Sequence, residues 1–235
     1  MGASIRSQIE RLRAEFQTRP AGLTKHVERV LAEALDLAAA FDADPERIEL
    51  AAWGHDLFRA SKPGELVAMA RESGLTIEPA DEAEPVLLHG PVAAAVIEAR
   101  FGVDDREALA AIRDHTLGLA EMPLLAKIIL IADKVEPHKR QRAPVMKAIR
   151  RLARHDLDLA LLCWADWKWV EERTHGWQAH PRHWLARERW VAEHHLDVGM
   201  PLRGEDFDLA AIEAIAYPPV HRPRRLPPGP DGLAE

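Results

Sequence analysis

Four histidines and two aspartates carry the chemistry this chain offers. They are His26, the adjacent His55 and Asp56, His89, His115 and Asp133, in the order H…HD…H…H…D. Imidazole and carboxylate together hold a divalent transition ion while leaving coordination positions for water and substrate. Six such groups, with no cysteine among them, suit a pair of ions. Mg²⁺ or Ca²⁺ would prefer all-oxygen ligands, so the set favours iron, manganese, cobalt, nickel or zinc.

Each residue also has a plainer role. His26 and His115 fall on apolar helical faces, where a hydrogen-bonded core histidine is ordinary. His89 precedes Gly90-Pro91 and would serve as a turn residue, although the positive end of a helix dipole there also suits an anionic substrate. Asp133 has Lys134 beside it as an ion-pair partner. Asp56 is harder to dismiss, because burying a carboxylate without a counter-charge is costly. Adjacent helical residues diverge by roughly 100°, so His55 and Asp56 share an ion only at the inner edge of their face. Before them, Gly54 is small enough to admit another backbone or an ion, and Trp53 packs. The plain roles must all hold at once on separate segments, whereas one metal site accounts for the whole set.

The elements that position these groups read as helices throughout. Ile5, Ile9, Leu12 and Phe16 recur at helical spacing, giving an opening helix that Pro20 and Gly22 end. A second runs from Thr24 to about Phe41 with His26, Val30, Ala34 and Leu37 on one face. Asp44-Pro45 is an N-cap with proline at the first helical position, starting the helix that carries Ile48, Ala52, His55 and Asp56. A short helix over about 63–73 closes at Gly74, and the acidic, proline-flanked stretch 78–84 reads as a loop. Pro91 restarts a helix that runs to Gly102. Asp104 or Asp105 caps the next, which leaves His115 in its last turn and stops at Gly118. An apolar helix spans 122–133 and ends by Pro137; others follow over about 144–154, 156–174 and 181–195. No stretch alternates with period two, so strands are not expected. Leu209, Ile212 and Ile215 suggest one more short helix. Beyond Tyr217 the chain carries six of its 17 prolines, which reads as an extended or disordered tail.

The 235 residues suffice for one substantial domain with a real core. A net charge of -7 argues against a generic nucleic-acid or membrane-surface binder. The lone Cys163 excludes an internal disulfide and fits a reducing compartment. The opening segment lacks the apolar core of a signal peptide, and no apolar run approaches the ~20 residues of a membrane span. A cytoplasmic location is expected. Cys163 lies in a Trp-rich helix, and Trp164, Trp167 and Trp169 at helical spacing suit a core better than base stacking.

Taken together, HVERV at 26–30, GHDLFRA at 54–60, HGPVAAAVIEARFGV at 89–103, AIRDHTLG at 111–118 and LLAKIILIADKVEP at 124–137 resemble the HD-domain metal-dependent phosphohydrolases. Within them the resemblance is to the YqeK-like family, over about residues 22 to 192. It implies an all-α HD-domain helical bundle, set at 22–195 between the N-terminal helix at 1–21 and the irregular proline-rich extension at 196–235 read from spacing and composition. It also implies symmetrical hydrolysis of diadenosine tetraphosphate to two ADP, with iron as the usual metal. Carried onto this sequence, His26, His55, Asp56 and Asp133 become ligands of one ion, with Asp56 bridging to a second held by His89 and His115. Asp56 and Arg59 take catalytic roles; Arg59, Thr116, Lys139 and Arg140 meet the substrate. Arg59 stands where the family has lysine, Leu117 where it often has a second threonine, and Ala93 where a glycine is usual.

Two divalent ions, less two carboxylates and one bridging hydroxide, leave a site of about +1. The mechanism expected is attack of that hydroxide on phosphorus, with Arg59, Lys139 and Arg140 offsetting charge on the transferring group. Residues 137–154 hold seven basic residues and no acidic one; for Arg150, Arg151 and Arg154 a solvated helix face is the better reading. The expected partner is a small dinucleoside polyphosphate or nucleotide, not nucleic acid or membrane, with a homodimer allowed. Two alternatives stay open: another HD nucleotide phosphohydrolase, such as a nucleotidase or a phosphodiesterase for a signalling nucleotide, and a non-catalytic nucleotide-binding module. A helical interaction protein has only the proline-rich tail in its favour.

Overall fold

A computed structural model of the chain describes residues 4–143 and 145–198. Those residues are helical, with no strand among them, as the periodicity requires. The short helix expected near 209–215 and the tail beyond Tyr217 lie outside the described residues.

The described residues divide into two compact units, one within 1–118 and 122–136 and the other within 119–121 and 137–235. The first contains α1 (Ile5–Phe16), α2 (Ala21–Ala40), α3 (Pro45–His55), α4 (Pro63–Glu72), α5 (Pro79–Ala83), α6 (His89–Phe101), α7 (Arg106–Asp114) and α8 (Leu124–Val135). The unit starts well before residue 22, because α1 packs on α3 through Ile9, Leu12 and Phe16, and Trp53 meets Phe16 edge-on. It closes at Glu136.

At its centre, α3 packs against α1, α2, α6, α7 and α8, so whatever leaves its C-terminal end is surrounded by the others. α8 is the most apolar helix, and Leu125, Ile128, Ile129, Leu130, Ile131 and Val135 are all buried. Two aspartate caps start the helices that bring ligands together. Asp44 accepts from the Glu46 and Arg47 amides, and Asp105 from those of Glu107 and Ala108, satisfying donors that a helix start leaves orphaned. Asp105 also binds the Arg47 guanidinium through both oxygens, tying α7 to α3.

Three local expectations need correction. Gly22 does not end the first helix; it lies inside α2, which starts directly after Pro20. Residues 78–84 are not a plain loop: Pro79 opens α5, the Asp81 carboxylate accepts from the Glu78 amide, and Asp81 is buried. A 3-10 turn, Pro85–Leu88, then leads into α6, which starts at His89 rather than Pro91. The acidic side chains suggested solvent, but one of them is spent capping a helix.

The second unit holds α9 (Pro137–Arg142), α10 (Val145–Ala153), α11 (Leu157–His175) and α12 (Pro181–Val198). Pro137 ends one helix and starts another, since proline suits a first helical turn. In α11, Cys163, Trp164 and Trp169 are buried and Trp167 half-buried, which agrees with a packing role. No helix among the described residues is long and apolar enough to cross a membrane.

Candidate metal centre

All six metal-type side chains meet in the first unit. Asp56 is their hub. Its Oδ1 lies 3.1 Å from His89 Nε2 and 3.5 Å from His115 Nε2, and its Oδ2 lies 3.5 Å from His26 Nε2 and 3.7 Å from His55 Nε2. Two groups result, His26–His55–Asp56 and Asp56–His89–His115, each with its donor atoms within 4.8 Å of one another. Asp133 joins the first side, with Oδ1 3.2 Å from His26 Nε2. Its other oxygen takes the Lys134 ammonium at 2.7 Å, so the ion pair foreseen as its plain role exists beside the cluster contact.

Helix ends make this convergence work. α3 stops at His55 and Asp56 is its C-cap (φ -108°, ψ 18°), so the two adjacent side chains escape the helical divergence expected of them. His115 caps α7, and Asp133 lies in the last turn of α8. Three helix C-termini, each carrying partial negative charge, thus supply cation-facing groups. Gly118, at φ +71°, lets the chain turn away just after His115-Thr116, its amide bonded to the Asp114 carbonyl.

Two glycines hold the spacing. A side chain at Gly90 would come within 2.8 Å of the Arg113 carbonyl oxygen and 3.2 Å of the His115 ring, so α6 approaches α7 only without one. At Gly54 a Cβ would strike the Ile112 and Ile97 side chains. Gly54 therefore admits apolar side chains, not a backbone or an ion as its position beside the pair suggests.

The donor set can be tested for a cation from its own hydrogen bonds. His55 Nδ1 lies 2.7 Å from the Ala52 carbonyl oxygen, His115 Nδ1 lies 2.8 Å from that of Ile112, and His89 Nδ1 contacts that of Val86. A carbonyl only accepts, so each Nδ1 carries the proton and each Nε2 presents a lone pair. The His89 and His115 Nε2 atoms then face each other at 3.0 Å, and His55 Nε2 is buried with no hydrogen-bond partner. Lone pairs opposed at that distance, beside an orphaned acceptor and a carboxylate, are repulsive unless a cation lies among them. Burial pulls His115 down to about 4 and also lowers His55, so these imidazoles stay neutral. The cluster fits divalent metal binding.

Around it, Thr116 Oγ1 lies 3.1 Å from His115 Nε2 and 3.5 Å from His89 Nε2. Arg59 is exposed three residues after Asp56, its amide bonded to the Asp56 carbonyl, and its side chain has no ion-pair partner among the described residues. Lys139 and Arg140 lie in α9 of the second unit. Reasoning on the sequence missed Glu136 and Arg29, which form a 2.6 Å pair beside His26. Glu136 was visible only as part of the IADKVEP segment, and Arg29 only as a charge one turn after His26.

An all-helical unit that gathers four imidazoles around a shared aspartate has the arrangement of a histidine–aspartate domain suited to divalent metal. The HD domain family model matches residues 23–138. Symmetrical bis(5'-nucleosyl)-tetraphosphatases of Bacillus subtilis and Halalkalibacterium halodurans are each 35% identical, over 137 and 138 residues. These alignments cover 58% and 59% of this chain and 72% of each relative. That of Staphylococcus aureus is 37% identical over 112 residues, covering 48% of this chain and 57% of the relative. A crystal structure from Clostridium acetobutylicum, of a predicted HD superfamily hydrolase involved in NAD metabolism, superposes with a TM-score of 0.74 at 26% identity. It covers 82% of this chain and 100% of the other. The chain belongs to the YqeK-like family of HD-domain phosphohydrolases.

Proposed function

We propose that the chain is a dinuclear-metal hydrolase that cleaves diadenosine tetraphosphate symmetrically to two ADP. The observation that carries this reading is the division of Asp56, one oxygen facing His89 and His115 and the other facing His26 and His55. A carboxylate so shared suits a bridge between two ions, His26, His55 and Asp133 completing one set and His89 and His115 the other. Iron is the first choice of metal, with manganese, cobalt, nickel and zinc accepted by the same donors. The names of the three relatives support the substrate.

When bound, the ions would supply Lewis acidity toward a phosphoryl oxygen and a water acidic enough to act near neutral pH. The chain's own groups do the rest. The imidazoles of His55, His89 and His115, turned by carbonyls at Nδ1, keep Nε2 available, and Asp56 faces both sides at once. Arg59, unpaired and exposed, meets the phosphoryl group undergoing transfer. Thr116 offers its hydroxyl to a phosphate oxygen, and Lys139 and Arg140 supply positive charge for phosphates.

Product analysis with Fe²⁺ or Mn²⁺ present tests this directly. Two ADP per substrate support symmetrical cleavage; AMP plus ATP would refute the register, and no turnover at all would refute the enzyme. A second reading, hydrolysis of a different dinucleotide, draws on the NAD-related assignment of the Clostridium acetobutylicum structure. NAD in the same panel, cleaved faster than diadenosine tetraphosphate, would favour it.

A further inference from the structure

Three of the four imidazoles are oriented by main chain. His55, His89 and His115 each place Nδ1 against the carbonyl three residues earlier, at or next to a helix end. No substitution can delete those acceptors. His26 differs, because it lies inside α2, where carbonyls are spent on the helix itself. Its Nδ1 faces a side chain, the carboxylate of Glu136, with Oε1 at 3.6 Å. Glu136 is only 2% exposed, and its other oxygen takes Arg29 Nε at 2.6 Å. Arg29 follows His26 by one turn on the same helical face, and Glu136 follows Asp133 by three residues.

The geometry thus joins Asp133 and His26 on the metal side to Glu136 and Arg29 behind them. At 3.6 Å the imidazole–carboxylate contact is electrostatic rather than a full hydrogen bond. It still selects a tautomer, since negative charge beside Nδ1 favours the proton there and leaves the lone pair on Nε2. His26 is also the most exposed of the four, its side chain 16% accessible, so packing restrains its ring least.

We propose that Glu136 is a positioning residue for the metal centre: it fixes the Nε2-donating form of His26 and strengthens that donor, while Arg29 holds the carboxylate in place. The inference rests on His26 being a ligand, as in the function proposed above. A carboxylate behind a ligating histidine typically governs about 10–100-fold in metal affinity.

The test uses the full-length protein with Mn²⁺ or Zn²⁺ as the probe, titrated against a competing chelator, in wild type, E136A, E136Q and H26A. Nitrogen chemical shifts of the histidines report the tautomer in the metal-free state. E136A is expected to weaken one of the two ions by about 10–100-fold and to mix the His26 tautomers. E136Q, isosteric but uncharged, should fold as wild type does and weaken the same ion by a smaller factor. Equal affinity in E136Q and wild type, with an unchanged tautomer, would overturn the proposal even if E136A failed to fold. H26A separates the layers of the argument. If H26A loses an ion while both Glu136 variants keep it, Glu136 has no positioning role. If H26A keeps both ions, His26 is no ligand and the metal-site reading itself is wrong.

Discussion

The histidine–aspartate cluster of the first unit and the Asp166–Arg187 pair of the second both bury ionisable side chains, but they neutralise them differently. Asp166 and Arg187 are both fully buried and bond directly, and the guanidinium lies about 5 Å from the rings of Trp169 (5.2 Å) and Trp184 (5.4 Å). The pair contains its own counter-charge. Burial nonetheless pushes the Asp166 carboxyl up, against the pull of Arg187. The cluster around Asp56 has no such internal balance. It opposes lone pairs at 3.0 Å and leaves His55 Nε2 without a partner. A buried ion pair carries its own counter-charge, even though Asp166 Oδ2 accepts no hydrogen bond; a buried set of donors has none, and its missing member is a cation.

That contrast breaks most sharply under substitution. Asp56→Asn should lower kcat by about three orders of magnitude, some 4 kcal/mol of transition-state stabilisation, while circular dichroism still shows a folded helical protein. Turnover close to wild type would remove Asp56 from the bridge. In the second unit the order of effects reverses. Arg187→Ala should cost about 3–5 kcal/mol by leaving Asp166 buried and unpaired, whereas D166L/R187M together should be neutral or stabilising by about 1–4 kcal/mol. Denaturant unfolding measures both, and a double variant as unstable as the single would show that the pair does more than cancel itself.

Substrate contacts come next. Arg59→Ala, and Lys139→Ala with Arg140→Ala, should each weaken the handling of phosphates by about 1.5–3 kcal/mol, the range of hydrogen bonds to charged groups. The Arg59 change should appear mainly in kcat and the Lys139–Arg140 change mainly in KM, read from steady-state kinetics. Equal effects on both parameters would undo this division.

Acid gives the smallest and most graded effect. The folded, metal-free protein holds His115 at about 4 and His55 below its ordinary value, against ~6.5 in the unfolded chain. The unfolded state binds more protons in that interval, so stability rises with pH across it. Thermal melts of metal-free protein should therefore show stability present above about pH 6.5 and progressively lost toward pH 4. Melting temperatures flat across this range would mean that the imidazoles are not buried as neutral groups. Metal should also be released in the same window, since imidazole must be neutral to ligate.

How much of this was legible in the residues follows from where each signal resides. The helices of the first unit were readable because caps and apolar periodicity are local: Asp44-Pro45, Asp105 and Gly118 mark boundaries that the structure keeps. The six ligand-type residues were readable because four imidazoles and two carboxylates on apolar faces need a common explanation. Residues 78–84 were misjudged because acidic composition resembles solvent exposure, whereas Asp81 is turned inward to cap its own helix. Gly54 was misjudged because its neighbours across the interface, Ile97 and Ile112, are distant in sequence. The His26–Glu136–Arg29 contact was invisible for the same reason, since Glu136 stands 107 positions beyond Arg29. Whether His55 and Asp56 converge depended on where α3 stops, to within a single residue.

Counting metal ions per chain tests the central claim most directly. Elemental analysis of protein purified near pH 7.5 and reconstituted with Fe²⁺ or Mn²⁺ should give two ions per wild-type chain and fewer in Asp56→Asn. Two ions retained in Asp56→Asn, or no bound metal in the wild type, would contradict a centre built on both oxygens of one aspartate.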